Sequence, residues 1–353
     1  MAILTALGRG CEPQLAGVLA GAAAFAPVNR FDASALRVSM AASLPEVDTL
    51  PAELAGVIEQ ACADAGLSAE QRASTPLLLA VHGHPGAGQL AAELAEQAGL
   101  AAAERVYTAA CVSASTAVAD AAASILRGGA DRVLIAAGYL VEPDQYALFD
   151  AGRALATDGL ARPFSQDRTG LLLGDGVAAL VLESHAAAAA RHRLAPVELI
   201  GWGRAGDAYH PCQPAPDGRG LARAIDAALG RAGIEAEQLG YINANATGTA
   251  YSDAAEAAAL QLAFGEFAGR LPISSTKSVH GHTLEASGLV ELVITVLSLR
   301  AGKLAVNAGY LGPDPDCPLD VILAAPRTVG SPYALSLNSA FGGANTALVV
   351  RVR

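Results

Sequence analysis

The sequence predicts an α/β fold made of two similar halves, each a parallel-rich sheet layered with helices. Three observations carry that expectation. Short, nearly continuous apolar runs such as Thr75–Val81 (TPLLLAV) and Arg132–Ala137 (RVLIAA) read as strands covered on both faces. Between such runs lie stretches of good helix formers with apolar residues at helical spacing. The alternation of strand and helix then runs through a second time, as layered parallel sheets require. The expected division is 1–184 and 185–353.

In the first half, Ala2–Leu7 reads as a strand, Gln14–Gly21 as a short helix and Arg37–Ala42 as a weakly alternating strand. Pro51–Ala65 is a patterned helix, with Leu54, Val57, Ile58 and Cys62 on one face and Gly66 at its end. After the Thr75–Val81 strand comes a glycine-containing loop, Gly83 to Gly88, whose spacing is not that of a dinucleotide cradle. Its His82 and His84 read as loop or dimer-contact residues. A helix Gln89–Gln97 comes next, then an extended segment ending at Tyr107, a helix Cys111–Leu126 closed by Gly128-Gly129, and the Arg132–Ala137 strand. Glu142–Arg162 is expected to be irregular; Val177–Glu183 is a strand, and Ala-rich Ser184–Arg193 a connector. In the second half, strands Val197–Trp202, Leu239–Ala244 and Pro272–Ser274 alternate with helices Leu221–Ala232, Asp253–Phe264 and Thr283–Arg300, and strands Tyr333–Leu337 and Thr346–Val352 close the chain.

Composition narrows the function classes. Net charge is −11, with no run of lysine or arginine, which argues against nucleic acid or an anionic membrane surface as partner. No apolar run reaches about 18 residues and no charged-then-apolar leader opens the chain, so a soluble, cytoplasmic protein is expected. The five cysteines are single and scattered, the pattern of reduced thiols and not of a zinc site or disulfide framework. Only two of the 23 basic residues are lysines, Lys277 and Lys303.

Cys111 falls at a predicted helix N-terminus, where free N–H groups and the macrodipole favour a thiolate. On that segment alone it also fits a buried thiol acting as a small hydrophobe. Three second-half stretches lie just past strands, where open α/β sheets place their sites. They are Asn243–Thr249 (NANATGT), Ser275–His282 (STKSVHGH) and Asn338–Asn345 (NSAFGGAN). Asp253 with Glu256 reads as a capping box.

Together with Thr108–Ser115 (TAACVSAS) and the Pro163–Gly176 stretch, these motifs resemble the β-ketoacyl synthases, the elongating branch of the thiolase-like superfamily. The resemblance implies a layered α-β-α-β-α body. Cys111 would take an acyl group from a carrier thioester. His282 would stabilise the enolate left when a malonyl unit loses carbon dioxide, and Lys277 would orient its loop. The N–H groups of Cys111 and Phe341 would form an oxyanion hole. Gly342 and Gly343 would allow close backbone approach there, with the Phe341 ring as gate. The resemblance further implies acyl carrier protein as partner, a homodimer or heterodimer, and no cofactor or metal.

Departures from the family pattern are specific. Asn245 stands where elongating members carry a histidine; its amide can donate a hydrogen bond but cannot act as a base. Glu285 and Ser287 stand where the loop after the histidine usually carries Gly and Ala, and the segment before Cys111 is short. Three readings remain: a condensing synthase, a non-elongating acyltransferase, and a chain-length-factor-like partner subunit. The presence of both Cys111 and His282 counts against the last.

Overall fold

The structure, a computed structural model, describes residues 1–353. Ala2–Thr5 (β1), Leu77–Ala80 (β2), Ala103–Tyr107 (β3), Arg132–Tyr139 (β4) and Gly176–Glu183 (β5) are the main strands of one sheet, in the order β1-β5-β4-β2-β3, with the two-residue strand Gly8–Arg9 added at the β1 edge. Val197–Gly206 (β6), Leu239–Asn243 (β7), Pro272–Ser274 (β8), Tyr333–Ser339 (β9) and Ala344–Val352 (β10) are the main strands of another, in the order β6-β10-β9-β7-β8, with the two-residue strand Asp320–Val321 added at the β8 edge. The two orders are the same once each half is numbered from its own first strand. The strand senses match as well. The three strands at one end run parallel, and the other two pair antiparallel.

Helices Cys11–Ala20 (α1), Leu50–Ala65 (α2), Ala87–Gln97 (α3), Ser113–Leu126 (α4), Pro143–Ala151 (α5), Arg219–Ala232 (α6), Ala250–Phe264 (α7) and Ser287–Ala301 (α8) complete the layers. Side chains alternate across each pleat, so each sheet feeds two cores. Leu77, Leu79 and Leu134 join Leu54 and Ile58 of α2 and Leu94 of α3 on the outer face of the first sheet. Ile242, Leu335 and Val349 join Leu221 and Ile225 of α6 and Leu260 of α7 on the outer face of the second. Between the sheets, Leu78 and Ile135 from one and Tyr241 and Leu348 from the other enclose Val118 of α4 and Leu289 and Val293 of α8. This is a layered α-β-α-β-α body, as the resemblance implies. Each large aliphatic side chain buried in these cores contributes roughly 1.5–3 kcal/mol.

The central position of α8 comes from its sequence: SGLVELVITVLSL is apolar on all sides, and every residue from Ser287 to Leu299 is buried. No helix is long and apolar enough to cross a membrane. All five cysteines are free thiols.

Several expected elements differ. The Arg37–Ala42 strand shrinks to Met40–Ala41, because the Arg37 and Val38 amides are taken by the Asp150 carboxylate instead of a ladder. The Glu142–Arg162 stretch is not wholly irregular: it contains α5, begun by Pro143 at its first turn. The long helix expected from Thr283 begins only at Ser287, after a tight turn Leu284–Ala286 in which Leu284 has φ 41°. The helix expected from Cys111 likewise begins at Ser113, after a turn Ala110–Val112.

Candidate active site

The nucleophile candidate sits on a strained bend. β3 ends at Tyr107, and Ala110 takes φ 49°, a left-handed value costly for a residue with a Cβ. Cys111 comes next, in the tight turn that leads into α4, and is 8% exposed. Burial, and after it the charge of nearby Glu285, push its thiol up to about 12 against the opposing pull of Lys277. This corrects the expectation of a thiol depressed by a helix tip. Desolvation outweighs the dipole, and the helix proper starts two residues later.

The His282 loop is pressed onto this bend. Gly288, in the first turn of α8, lies so close to α4 that an added Cβ would stand 2.6 Å from the Ser115 N atom. Ser115 Oγ meets Thr346 Oγ1 at 2.7 Å, tying α4 to β10. His282 is fixed from both sides of its backbone: its N–H donates to Leu172 O, and its carbonyl accepts from Gly174 N. The ring pairs Nδ1 with Ser287 Oγ at 2.9 Å, which leaves Nε2 without a protein partner. Burial, then the charge of Lys277, then His280 hold the imidazole well below its usual pKa, so it is neutral at physiological pH. His280 is buried with Nε2 3.0 Å from Thr276 Oγ1, a structural placement.

Lys277 ties the second-half loops together. Its Nζ lies 2.6 Å from Glu291 Oε1 and 3.4 Å from Asn245 Oδ1. The other Glu291 oxygen accepts from Asn338 Nδ2 at 2.7 Å, three residues before Phe341. Both Lys277 and Glu291 are buried, and a buried pair of this kind fixes geometry more than it adds stability. Because an ammonium only donates, the Asn245 atom facing it is the oxygen, and its NH2 is turned the other way. Glu256 accepts the Asn245 backbone amide at 2.8 Å.

Asp253 and Glu256 are not the capping box expected from sequence. α7 starts at Ala250 with no side-chain cap. Asp253 accepts from the amides of Thr247, Gly248 and Phe164, so the two carboxylates hold the Asn245–Gly248 loop and the Phe164 bend. Burial pushes Asp253 up to about 6 and Glu256 up to about 8.

In the last loop, Gly342 and Gly343 take φ 85° and 74°, which the turn requires. The Gly342 N–H donates to Pro211 O and that of Gly343 to Ala340 O, while the Phe341 N–H has no partner within the chain. Phe341 is half exposed, and its ring stacks on Phe149 with centroids 5.9 Å apart. Sequence reading misses Phe149, hidden in the stretch expected to be irregular. It also misses Glu291, although a single carboxylate in so apolar a helix is a visible signal. A cavity of about 780 Å³ around residues 180–200 touches none of these side chains.

The comparisons with known proteins point one way. A family model described as "Beta-ketoacyl synthase, N-terminal domain" matches residues 55–188, and "Beta-ketoacyl synthase, C-terminal domain" matches residues 197–310. The chain is 38% identical over 248 residues to a 3-oxoacyl-[acyl-carrier-protein] synthase 2 of Staphylococcus aureus, 69% of this chain and 61% of that protein. A protein of the same name from Synechocystis sp. is 38% identical over 249 residues, with 69% and 60% covered. The match thus spans about three-fifths of the length of these curated relatives. Among solved structures, a β-ketoacyl synthase from Burkholderia phymatum is 29% identical with a TM-score of 0.89, covering 100% of this chain and 98% of that one. The ishigamide ketosynthase/chain length factor is 27% identical with a TM-score of 0.91, covering 100% and 97%.

Proposed function

The chain belongs to the β-ketoacyl synthase family, and from that premise we propose that it is an acyltransferase that condenses. Cys111 attacks the carbonyl of an acyl thioester on an acyl carrier protein, and the carrier thiol leaves. The thiol proton passes to neutral His282, whose Nε2 has no partner in the chain, and from there to the departing carrier sulfur. The oxyanion formed in that attack is met by the N–H groups of Cys111 and Phe341. A malonyl-carrier thioester then loses carbon dioxide, and the enolate attacks the acyl-Cys111 carbonyl to give the β-ketoacyl-carrier and the Cys111 thiolate, which takes a proton from water to regenerate the thiol. The division at 184/185 places the nucleophile in the first half and the remaining polar groups in the second. The working unit is a homodimer, or a heterodimer with a second ketosynthase, and the site is cytoplasmic. No cofactor or metal enters this reaction.

The observation that carries the condensing reading is the orientation of Asn245. Lys277 takes the amide oxygen, so the NH2 is presented as a donor and supplements His282 at the developing enolate. The histidine usual at this position supplies the same kind of donor. The test is carbon dioxide release from malonyl-carrier by acyl-loaded protein, with Asn245→Ala as the comparison. Release by the parent and a fall of about 10²–10³-fold in the variant are expected. Loading without release would leave an acyltransferase that passes acyl groups on.

A further inference from the structure

Glu285 is a carboxylate that the reaction above does not use. It is 5% exposed. One oxygen, Oε1, accepts from His82 Nδ1 at 2.9 Å, reached from the loop after β2. The other, Oε2, is buried with no partner in the chain, and so is the Tyr139 hydroxyl at the end of β4. The turn Leu284–Ala286 that carries Glu285 packs against both the Cys111 turn and β4. Leu284, directly before it, holds the strained φ of 41° that fixes this turn. Glu285 is also the charge with the largest effect on both the Cys111 thiol and the Tyr139 phenol, which agrees with that placement.

A carboxylate oxygen on the turn packed against Cys111, and a phenol on the strand packed against that turn, are therefore both unpaired. A carboxylate oxygen can only accept, and a phenol O–H can donate. An alkyl chain would leave both unpaired in a dry site, so neither recovers what it lost on leaving water. An ammonium group could donate to both oxygens but would leave the phenol proton without an acceptor. A hydroxyl satisfies both, giving its proton to Glu285 Oε2 and accepting from Tyr139 Oη.

We infer that Glu285 and Tyr139 select an acyl group that carries a hydroxyl close to its thioester carbonyl, with His82 holding the carboxylate in place. This rests on Cys111 being the acyl acceptor. The test offers hexanoyl and 3-hydroxyhexanoyl thioesters of pantetheine separately and monitors acylation of Cys111 by intact mass. The parent is expected to load the hydroxyacyl group about tenfold faster. Glu285→Ala should bring the ratio close to one. Tyr139→Phe, which deletes a single oxygen and keeps the ring packed, should lower it by a smaller factor, so the inference stands or falls even if the first variant folds poorly. Equal rates in the parent, or a preference that survives both substitutions, would overturn the selectivity and leave the acyltransferase reading in place. No adduct from either thioester would overturn both.

Discussion

The two halves repeat one strand order, yet they differ in the path taken after their third strand. After β3 the chain needs only residues 108–112 to reach α4, and that short path delivers Cys111. After β8, at the equivalent place, it spends residues 275–286 before α8. The longer path is where Lys277, His282 and Glu285 lie. It is long enough to cross to the first half, where His282 bonds the backbone of Leu172 and Gly174. A repeated scaffold thus gives one half the proposed nucleophile at a helix entrance and the other half the loop pressed onto it. The difference lies in loop length and loop sequence, while the sheets stay alike.

That division of labour can be broken most completely at Cys111. Cys111→Ala is expected to abolish the acyl adduct seen by intact mass, with the thermal midpoint little changed, because an alanine at an 8% exposed turn leaves little void. An adduct that persists on the substituted protein would move the nucleophile elsewhere and end the asymmetry between the halves.

How much of this is legible in the sequence depends on the length scale of the cause. The alternation of apolar runs and helical patterns is enough for two layered α/β halves, since burial on both faces of a strand leaves a continuous local signature. Cys111, Lys277, His282 and Phe341 stand out as candidates because they lie in motifs just past strands and those motifs carry the family resemblance. The thiol's ionisation cannot, because the helix tip is a local feature whereas desolvation and the Glu285 charge arrive from packing. The Asp253–Glu256 spacing looks like a cap for the same reason: the amides they bind belong to Thr247, Gly248, Asn245 and distant Phe164. The stacking of Phe341 on Phe149 joins segments nearly two hundred residues apart and leaves no mark in either.

The contact between the two equivalent helices offers a graded test. Gly288 on α8 meets Ser115 on α4 with no room for a methyl group: the added Cβ would come within 2.7 Å of the Ser115 Cβ as well. Gly288→Ala is expected to destabilise the protein by about 1–3 kcal/mol and to slow acylation of Cys111 by shifting the turn four residues before Ser115. Chemical denaturation and adduct kinetics read the two effects separately. If neither changes, the helices are not held together at this point, and the approach of the two loops has another cause.

The smallest effect concerns a buried carboxyl of the second half. Glu256 is raised from 4.5 to about 8 in the folded protein, first by burial and then by Asp253, with Lys277 and the Asn245 amide opposing. Between those values the folded state keeps a proton that the unfolded chain has lost, so stability falls as pH rises and the loss is complete only above about 8. His280, lowered to about 3, and His282 act in the opposite sense, but only below their unfolded value of 6.5. Asp253, at about 6, has also largely titrated by then. The interval from 6.5 to about 8 therefore isolates Glu256. The parent should lose stability across it, by on the order of 1 kcal/mol, and Glu256→Gln should flatten the slope, since the amide carries no proton to lose. Thermal midpoints across that interval decide it: a parent no steeper than the variant would mean that Glu256 is already ionised against the Asn245 loop, and that the second half holds its loops by charge instead of by a shared proton.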